Sequence, residues 1–348
     1  MLRTLIVGLG RAGLGLHVPV LRRTRATAVD TFADHPIVGV DPEHSSLDRQ
    51  REDLLIVDSL RRARELLDPA HTVVHLCTPP AVRAEVLREV AELGFRRILL
   101  EKPLAGDRGA LQTVLHLARA HELRLSVVAP WLHSALTQCL VQIVADGSLG
   151  AVRSVSVTQH KPRFRRSLGS SSHTSAFDVE APHAVGVLLR LLGDAQVCGA
   201  ACADLQVAEV TVPRMGGMRL ELLHDGGARS EVVSDLSSPV RQRRIVLDMA
   251  GGSVVGHYAV GQNDDFAQLE ITRDGSTVRE VLRDDSLTSC LTRAYRRFVD
   301  DADTDDLDLH VRTVQLLDEA KRLAADGHEV VPPHDGRTAR KEATIHGS

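Results

Sequence analysis

The hydrophobic positions of the first 130 residues alternate between two periods. Apolar residues recur at helical spacing across 82–93 and 107–121, which predicts two helices. Short apolar runs rich in β-branched residues predict strands at 2–7, 37–40, 71–77, 97–100 and 124–128. Strands that alternate with helices form right-handed βαβ units on a parallel sheet. The pattern therefore predicts an α/β fold whose first domain, residues 1–128, is doubly wound around a parallel sheet.

The pattern changes after residue 150, where extended segments follow one another without helices between them. They predict strands at 151–160, 218–224, 230–236, 244–249, 253–260, 267–272 and 277–282. Glycine-containing hairpin turns are expected at 224–227, 250–252 and 274–276. Helices are predicted at 181–192, 287–299 and 307–325. We therefore expect a second, α+β domain at 129–334 with an open, mainly antiparallel sheet, and a polar tail at 335–348.

Composition excludes several classes of protein. The 42 Lys and Arg residues oppose 46 Asp and Glu residues, giving a net charge of −4, whereas nucleic-acid-binding proteins usually carry a basic excess. No apolar run approaches the roughly 20 residues of a membrane span, and the apolar start is too short for a signal peptide. The five cysteines are odd in number, and no Cys, His and carboxylate residues share metal-ligand spacing. We expect a soluble, cytoplasmic protein with free thiols, no metal, and no nucleic-acid or membrane partner.

A glycine-rich turn follows the first predicted strand and opens a helix, with the sequence Gly8-Leu9-Gly10-Arg11-Ala12-Gly13. Gly8 permits the tight turn, Gly10 allows the backbone to approach a pyrophosphate, and Gly13 lets the helix pack against the strand. The amides at the helix start then bind phosphate. We therefore place Gly8, Gly10, Arg11, Ala12 and Gly13 at a dinucleotide site, which makes residues 1–128 a Rossmann NAD(P)-binding domain.

Asp41 ends the second predicted strand, where this type of fold places the carboxylate that binds a ribose diol. A carboxylate there repels a 2′-phosphate, which favours NAD over NADP. NADP stays open, because Arg49 lies close enough in sequence to contact a phosphate.

A charged pair, Glu101-Lys102, ends the buried strand at 97–100 and is followed by Pro103. Alternation along a strand sends Glu101 and Lys102 to opposite sides, and Pro103 restricts Lys102 to extended backbone. Side chains at the carboxyl ends of parallel strands face the ligand crevice. The ammonium group of Lys102 is therefore predicted to point at a ligand.

Several short motifs occur in a fixed order along the chain. They are the glycine turn, Gly39-Val40-Asp41-Pro42, Cys77-Thr78-Pro79-Pro80, Glu101-Lys102-Pro103-Leu104 and Asp146-Gly147-Ser148-Leu149-Gly150. Together they resemble the glucose–fructose oxidoreductase/inositol dehydrogenase/rhizopine-catabolism (Gfo/Idh/MocA) family. The resemblance implies NAD(P)-dependent oxidation or reduction at a carbon of a sugar, a cyclitol or a related polar, biosynthetic substrate. It also implies that Lys102 is the active-site lysine, that Thr78, Pro79, Glu101 and Lys102 lie at the cofactor, and that the Lys102–Pro103 bond is cis.

A second candidate group lies at the start of the helix at 181–192. Pro182 suits a first helical turn, so His183 lies where the helix dipole disfavours imidazolium. His183 also lies ten residues before Gly193, as in the family motif, and is our acid–base candidate, with a purely structural histidine as the alternative. Relatives often carry Asp at the positions of Val179 and Gly186. Glu180 is the favoured substitute, with Asp178 beside it, and Gly186 is expected to make room for substrate or nicotinamide.

Energetics favour the histidine as the proton carrier. A free lysine titrates near 10.4, so a lysine base near neutral pH needs a shift of about three units, or roughly 4 kcal/mol. A neutral histidine needs almost none. We therefore assign proton transfer to His183 and polarisation of the substrate oxygen to Lys102.

The substrate side of the site is less defined by sequence. The basic segment 161–166 is suited to a phosphate, a nucleotide or a carboxylate, and a solvated basic loop is the alternative. Trp131 follows the strand at 124–128, where relatives often carry Arg. We place Trp131, Arg163, Asp178 and Gly186 among the substrate contacts.

Two other functions remain open. Because Val179 and Gly186 replace the Asp residues of relatives, the chain is also compatible with an NAD(P)H-dependent reductase of a ketone or imine in a secondary-metabolite intermediate. A catalytically silent, cofactor-binding regulatory protein is the other alternative. We expect a homodimer or homotetramer, because an open antiparallel sheet has one face free to associate.

Overall fold

The computed structural model describes most of the chain. The described residues are 1–26, 28, 30–42, 50–51, 53–169, 173–261, 264–302 and 306–326. Arg49 and the predicted polar tail at 335–348 lie outside them.

The first sheet has seven strands in the order β3-β4-β2-β1-β5-β6-β7. Its strands are β1 (Arg3–Val7), β2 (Ile37–Val40), β3 (Gln50–Arg51), β4 (Leu54–Val57), β5 (Thr72–Leu76), β6 (Arg97–Glu101) and β7 (Arg124–Val128). All neighbours are parallel except β3 and β4. The chain leaves β1 toward β2 on one side and later returns to β5 on the other. This reversal makes the carboxyl ends of β1 and β5 the expected ligand crevice.

Helices connect these strands. They are α1 (Val18–Arg25), α2 (Leu60–Leu66), α3 (Pro80–Glu92) and α4 (Arg108–Ala120). A wide π-helical turn at Gly13–His17 precedes α1. Asp107 caps α4 by accepting a hydrogen bond from the amide of Ala110, which satisfies one of the unpaired amides at the helix start. The strands and helices predicted before residue 128 are present, together with β3, β4 and α2, which the pattern did not predict.

The second sheet has eight strands in the order β15-β14-β13-β12-β8-β11-β10-β9. The strands are β8 (Val152–His160), β9 (Ala195–Val207), β10 (Val210–His224), β11 (Arg229–Asp235), β12 (Gln242–Met249), β13 (Gly252–His257), β14 (Phe266–Arg273) and β15 (Ser276–Arg283). Only β8 and β11 pair in parallel among these described strands. The predicted fold class is therefore confirmed: a parallel Rossmann-type sheet is joined to a mainly antiparallel one.

One face of the second sheet is covered by helices. The helices of this half are α5 (Ala135–Asp146), α6 (Phe164–Gly169), α7 (Ala181–Leu192), α8 (Ser286–Val299) and α9 (Leu307–Ala325). Apolar residues of α5, α7 and α9 share a core cluster with inward-facing residues of the sheet, including Leu136, Leu188 and Leu316 against Val157 and Val232. This packing fixes α7, and therefore the start of that helix, against the sheet.

Helix α8 packs against the first sheet rather than the second. Its buried residues Leu291, Tyr295 and Phe298 share a core cluster with Ile6 and Leu99 of that sheet. The first sheet therefore needs residues from near the end of the chain to cover one of its faces. No helix among the described residues has the length and apolar character to cross a bilayer.

Candidate active site

The glycine turn lies at the carboxyl end of β1, between β2 and β5. The amide of Gly8 donates to Val40 O at 2.9 Å, and the amide of Cys77 donates to Val7 O at 2.8 Å. Gly8 has a φ of +92°, and a Cβ there would lie 3.0 Å from the carbonyl carbon of Cys77. These contacts force a sharp turn that only glycine adopts without strain.

Gly10 and Gly13 differ in what surrounds them. A Cβ on Gly13 would lie 2.1 Å from Gly8 O, so the helix start and the turn touch there. A Cβ on Gly10 would meet nothing within 4 Å. Gly10 therefore borders open space at the helix start, where a pyrophosphate would approach the backbone.

We expect alanine at these two positions to separate folding from cofactor binding. Gly13→Ala forces a backbone clash, so it should lower the melting temperature and abolish NADH binding. Gly10→Ala should melt like the native protein yet bind NADH at least tenfold more weakly, because its methyl group occupies the space next to the phosphate. Differential scanning fluorimetry and NADH fluorescence titration measure the two effects. Undiminished NADH affinity in Gly10→Ala would contradict the assignment of this turn.

Asp41 lies beside the turn, as its position after β2 predicted. Its Oδ2 accepts a hydrogen bond from the amide of Leu9 at 2.7 Å. The carboxylate therefore orders the turn and stands at the end of β2, where a ribose diol would be bound.

Arg83 connects the segments that follow β5 and β6 through hydrogen bonds to their carbonyls. Its guanidinium donates to the carbonyls of Thr78 and Leu104 at 3.1 and 3.5 Å, and also to that of Pro103. The side chain is only 2% exposed. Arg83 was not predicted as a site residue, although a charged residue on the apolar face of the helix after Pro80 was a usable signal. It positions the two segments that carry Thr78 and Lys102.

Lys102 extends from the end of β6 toward the second half of the chain. Its Nζ donates to Val179 O at 2.6 Å, and the Lys102–Pro103 peptide bond is cis. Burial is the largest cause that lowers the pKa of Lys102 to about 8, against the opposing effects of Glu101 and Asp178. Burial thus supplies most of the pKa shift that a lysine needs to act as a base near neutral pH.

Glu101 points to the other side of β6 and forms a buried pair with His17. His17 donates from Nε2 to Glu101 Oε1 at 2.9 Å, and its Nδ1 lies 2.8 Å from Nδ1 of His75. Although burial alone would lower it, Cys77 and Glu101 raise the pKa of His17 to about 10. His17 is therefore a cation that holds Glu101 ionised. Glu101 was predicted as a cofactor contact, and here its carboxylate binds His17.

The histidine pair extends into the core. His75 Nε2 is 2.9 Å from the hydroxyl of Tyr295, which lies 2.6 Å from Oγ1 of Thr4. Burial and the charge of His17 lower the pKa of His75 well below its usual value, so this ring is neutral. A polar chain thus runs from β6 through the first sheet to α8, and sequence spacing gave no sign of it.

His183 lies in the first turn of α7, near Lys102. Burial, then the charges of Lys102 and Arg243, lower its pKa well below 6.5. Its ring stacks on Trp131 with centroids 5.8 Å apart, and Trp131 stacks on Tyr258 at 3.9 Å. His183 is therefore neutral, because burial and nearby cations disfavour its charged form. Trp131 packs against the histidine ring and is itself buried.

The other predicted residues around α7 have structural partners. The carboxylate of Glu180 forms an ion pair with Lys161 and not with His183. Asp178 accepts from Thr174 and Ser175 and pairs with Lys321 at 2.9 Å. The prediction for Gly186 needs correction: a Cβ there would lie 3.5 Å from Leu309 and 3.7 Å from Leu132, so this glycine faces packed core rather than a ligand.

A basic cavity of about 390 Å³ opens beside the glycine turn. It is lined by Arg11, Lys161, Pro162, Arg163, Phe164, Arg165, Arg166, Arg241 and Arg243. No carboxylate is among the described residues that line it. The predicted basic segment therefore faces a cavity, and Arg241 and Arg243 of the β12 region, which were not predicted, lie with it. The run Arg241-Gln242-Arg243-Arg244 was the available signal.

Several buried polar atoms near Lys102 and this cavity have no hydrogen-bond partner among the described residues. They are Oγ1 of Thr78, both amide atoms of Gln159, Nε of Arg163, Nδ1 of His173 and of His183, and Oγ of Ser234. Gln159 is in register with Ser234 on β11 and with Arg243 on β12, so these groups share one end of the second sheet. Buried polar groups are rarely left unpaired, which marks this region as one that binds a polar ligand.

These features are those expected of a dinucleotide site with a lysine beside it, and the comparison with known families agrees. Residues 2–129 match the GFO_IDH_MocA model, described as an oxidoreductase family with an NAD-binding Rossmann fold. The N-terminal part of the chain therefore matches this family, which confirms the predicted resemblance and the expected class, an NAD(P)-binding oxidoreductase.

Solved structures with the same fold span nearly the whole chain. KijD10, a 3-ketoreductase from Actinomadura kijaniata in complex with NADP and TDP-benzene, has a TM-score of 0.77 at 15% identity, covering 92% of this chain and 97% of that one. The aldose-aldose oxidoreductase from Caulobacter crescentus complexed with glycerol has a TM-score of 0.76 at 15% identity, covering 94% and 98%. A putative oxidoreductase from Bacillus subtilis, yvaA, has a TM-score of 0.73 at 16% identity, covering 94% and 96%. No curated protein matches the sequence.

Proposed function

We propose that this protein transfers hydride between a nicotinamide cofactor and a carbonyl or carbinol carbon of a sugar, cyclitol or related polar substrate. The observation that carries the proposal is the placement of Lys102. Its ammonium group lies beyond the carboxyl end of β6 and donates a hydrogen bond to Val179 O at 2.6 Å.

The residues present fit a dinucleotide. Gly10 borders open space, the buried Oγ1 of Thr78 has no partner among the described residues, and Asp41 stands at the end of β2. Gly8, Gly10, Arg11, Ala12 and Gly13 would hold the pyrophosphate, Asp41 the ribose diol, and Thr78 with Pro79 the part nearest the nicotinamide. Asp41 favours NAD. When bound, the nicotinamide supplies or accepts the hydride.

Lys102 is the better proton carrier of the two candidates. A general acid or base works best when its pKa lies near the working pH, and burial lowers the pKa of Lys102 to about 8. His183 is held neutral with a pKa well below 6.5, so it would orient the substrate oxygen by a hydrogen bond. We therefore propose that Lys102 gives its proton to the substrate oxygen during reduction and takes it back during oxidation.

A polar, hydroxyl-rich substrate suits the unpaired groups around the site. Gln159, Ser234 and His173 offer buried donors and acceptors with no partner among the described residues. The names of two structural neighbours, a 3-ketoreductase and an aldose-aldose oxidoreductase, support chemistry at sugar carbons. Trp131 is buried against His183, so its ring is not available to stack on a sugar. Sugar hydroxyls would therefore be recognised mainly by hydrogen bonds.

We further propose a cytoplasmic homodimer or homotetramer with a domain boundary at residue 128 and a tail at 335–348. Support for assembly comes from β15, where Val278 and Val281 are each 67% exposed. Exposed apolar residues on an edge strand are suited to association between copies.

The test is hydride transfer itself. We expect the purified protein to oxidise NADH, in preference to NADPH, in the presence of some member of a panel of keto-sugars and aldoses, followed by NADH absorbance and by mass spectrometry of the product. An imine panel serves as the comparison. Tight NADH binding without hydride transfer to any of these substrates would overturn the proposal and favour a silent cofactor-binding protein.

A further inference from the structure

The basic cavity shares a wall with the segment that binds the proposed catalytic lysine. Lys102 Nζ binds the carbonyl of Val179 at 2.6 Å, and the next residue, Glu180, pairs with Lys161 in the cavity wall. Arg11 brings the glycine turn into the same wall. A ligand in this cavity is therefore within reach of both the cofactor site and Lys102.

The cavity carries far more positive charge than the cofactor site needs. Seven of its nine lining residues are Lys or Arg, and Lys161 is paired with Glu180. Burial, and then repulsion by the charge of Arg11, lower the pKa of Arg163. Arg11, on the glycine turn, is the cation placed for the cofactor's pyrophosphate. Nη1 of Arg241 and of Arg243 donates to the carbonyls of Val260 and Ala259. The other cations of the wall are Arg163, Arg165 and Arg166, and none of these five arginines has an ion-pair partner within the described residues, so their charge is available to another anion.

Arg163 provides the strongest local sign of a ligand. It is 6% exposed, its Nη1 donates to Oγ of Ser167 at 3.3 Å, and its Nε is buried without a partner among the described residues. A buried guanidinium donor without an acceptor is costly, and planar guanidinium groups recognise phosphate oxygens with particular strength. A phosphate in the cavity would offer the missing acceptor.

The cavity also contains one apolar, aromatic surface. Phe164 lies among the arginines and is 37% exposed, whereas most large apolar side chains of the chain are buried. An aromatic ring between cations is suited to stack against a nucleobase. A simple sugar phosphate would leave this ring uncovered.

We propose that this cavity binds the nucleoside diphosphate part of the substrate, so that the enzyme acts on a sugar linked to a nucleoside diphosphate. The proposal deepens the proposed function and rests on it. The arginines bind the diphosphate, Phe164 stacks on the base, and the sugar extends toward Lys102 and His183. The nicotinamide cofactor stays on the glycine turn.

Binding of a nucleoside diphosphate to the NADH-saturated protein tests the proposal without turnover. We expect UDP to bind, measured by isothermal titration calorimetry, with uridine failing to bind at the same concentrations. Arg243→Gln and Arg241→Gln should each weaken UDP about tenfold or more, because each loses a charged hydrogen bond. Arg244→Gln is the matched control, since adjacent residues of β12 point to opposite faces. Phe164→Leu should weaken UDP while leaving inorganic pyrophosphate unaffected.

The affinity for NADH, titrated separately by fluorescence, tells whether the cavity binds the diphosphate of the substrate or that of the cofactor. Native NADH affinity in Arg241→Gln and Arg243→Gln, with weakened UDP, supports a substrate site. Loss of NADH affinity in these variants with UDP unchanged would overturn it and assign the cavity to the cofactor. Equal binding of UDP to Arg243→Gln and Arg244→Gln would also overturn it. Because no assay here needs hydride transfer, a failure of the proposed function would appear in the keto-sugar panel instead.

Discussion

Replacing Lys102 with methionine is expected to reduce kcat/KM about 10³-fold, the usual contribution of a positioned general acid or base. Methionine keeps the length and apolar stem of the side chain, so the fold at the end of β6 should persist and NADH affinity should change little. Lys102→Arg separates charge from proton transfer, because arginine retains the charge but does not release its proton near neutral pH. We expect it to be nearly as inactive as Lys102→Met.

The pH profile gives an independent measurement of the same group. The pKa of Lys102 is lowered to about 8, and reduction needs its protonated form. The rate of reduction should therefore fall as pH rises through about 8, whereas the rate of oxidation should rise over the same range. An inflection below pH 6 that disappears in His183→Asn would instead identify His183 as the proton carrier, as the sequence alone suggested.

Arg83→Met is expected to produce the largest loss of stability. The change leaves the carbonyls of Thr78, Pro103 and Leu104 without their donor, which we expect to lower the free energy of unfolding by about 3 kcal/mol. Activity should fall as well, because the segments that carry Thr78 and Lys102 lose their common support.

Urea denaturation of Arg83→Met and of its control Arg88→Met measures this effect. Arg88 is exposed on the same helix, so its replacement should change stability by less than about 0.5 kcal/mol. Equal stability of the two variants would show that Arg83 has no supporting role.

The parts of the fold that could be predicted were those with a local signature. The glycine turn, Asp41 and the Glu101-Lys102-Pro103 segment each follow a strand directly, and strand ends of a parallel sheet meet at one edge. The run Leu54-Leu55-Ile56-Val57 was missed because four apolar residues do not distinguish a short strand from other buried structure.

The parts that could not be predicted depend on partners far apart in the chain. Arg83 donates hydrogen bonds to carbonyls about 20 residues further along the chain, and His17 binds Glu101, which is 84 residues away. The proposed proton carrier changed from His183 to Lys102 for the same reason. Desolvation shifts a pKa according to how deeply a group is buried, and burial is decided by the packing of α7 against the sheet rather than by neighbours in sequence.

The position of α8 determines when this protein can complete its nucleotide-binding half during synthesis. Ile6 and Leu99 are covered by residues such as Tyr295 and Phe298, which a ribosome makes roughly 15 to 60 s after the first strand at typical rates of elongation. Until then the nascent first half exposes an apolar sheet face, which is a surface that chaperones bind. Expression of residues 1–128 alone leaves that face permanently uncovered, so a soluble cofactor-binding fragment has to include α8.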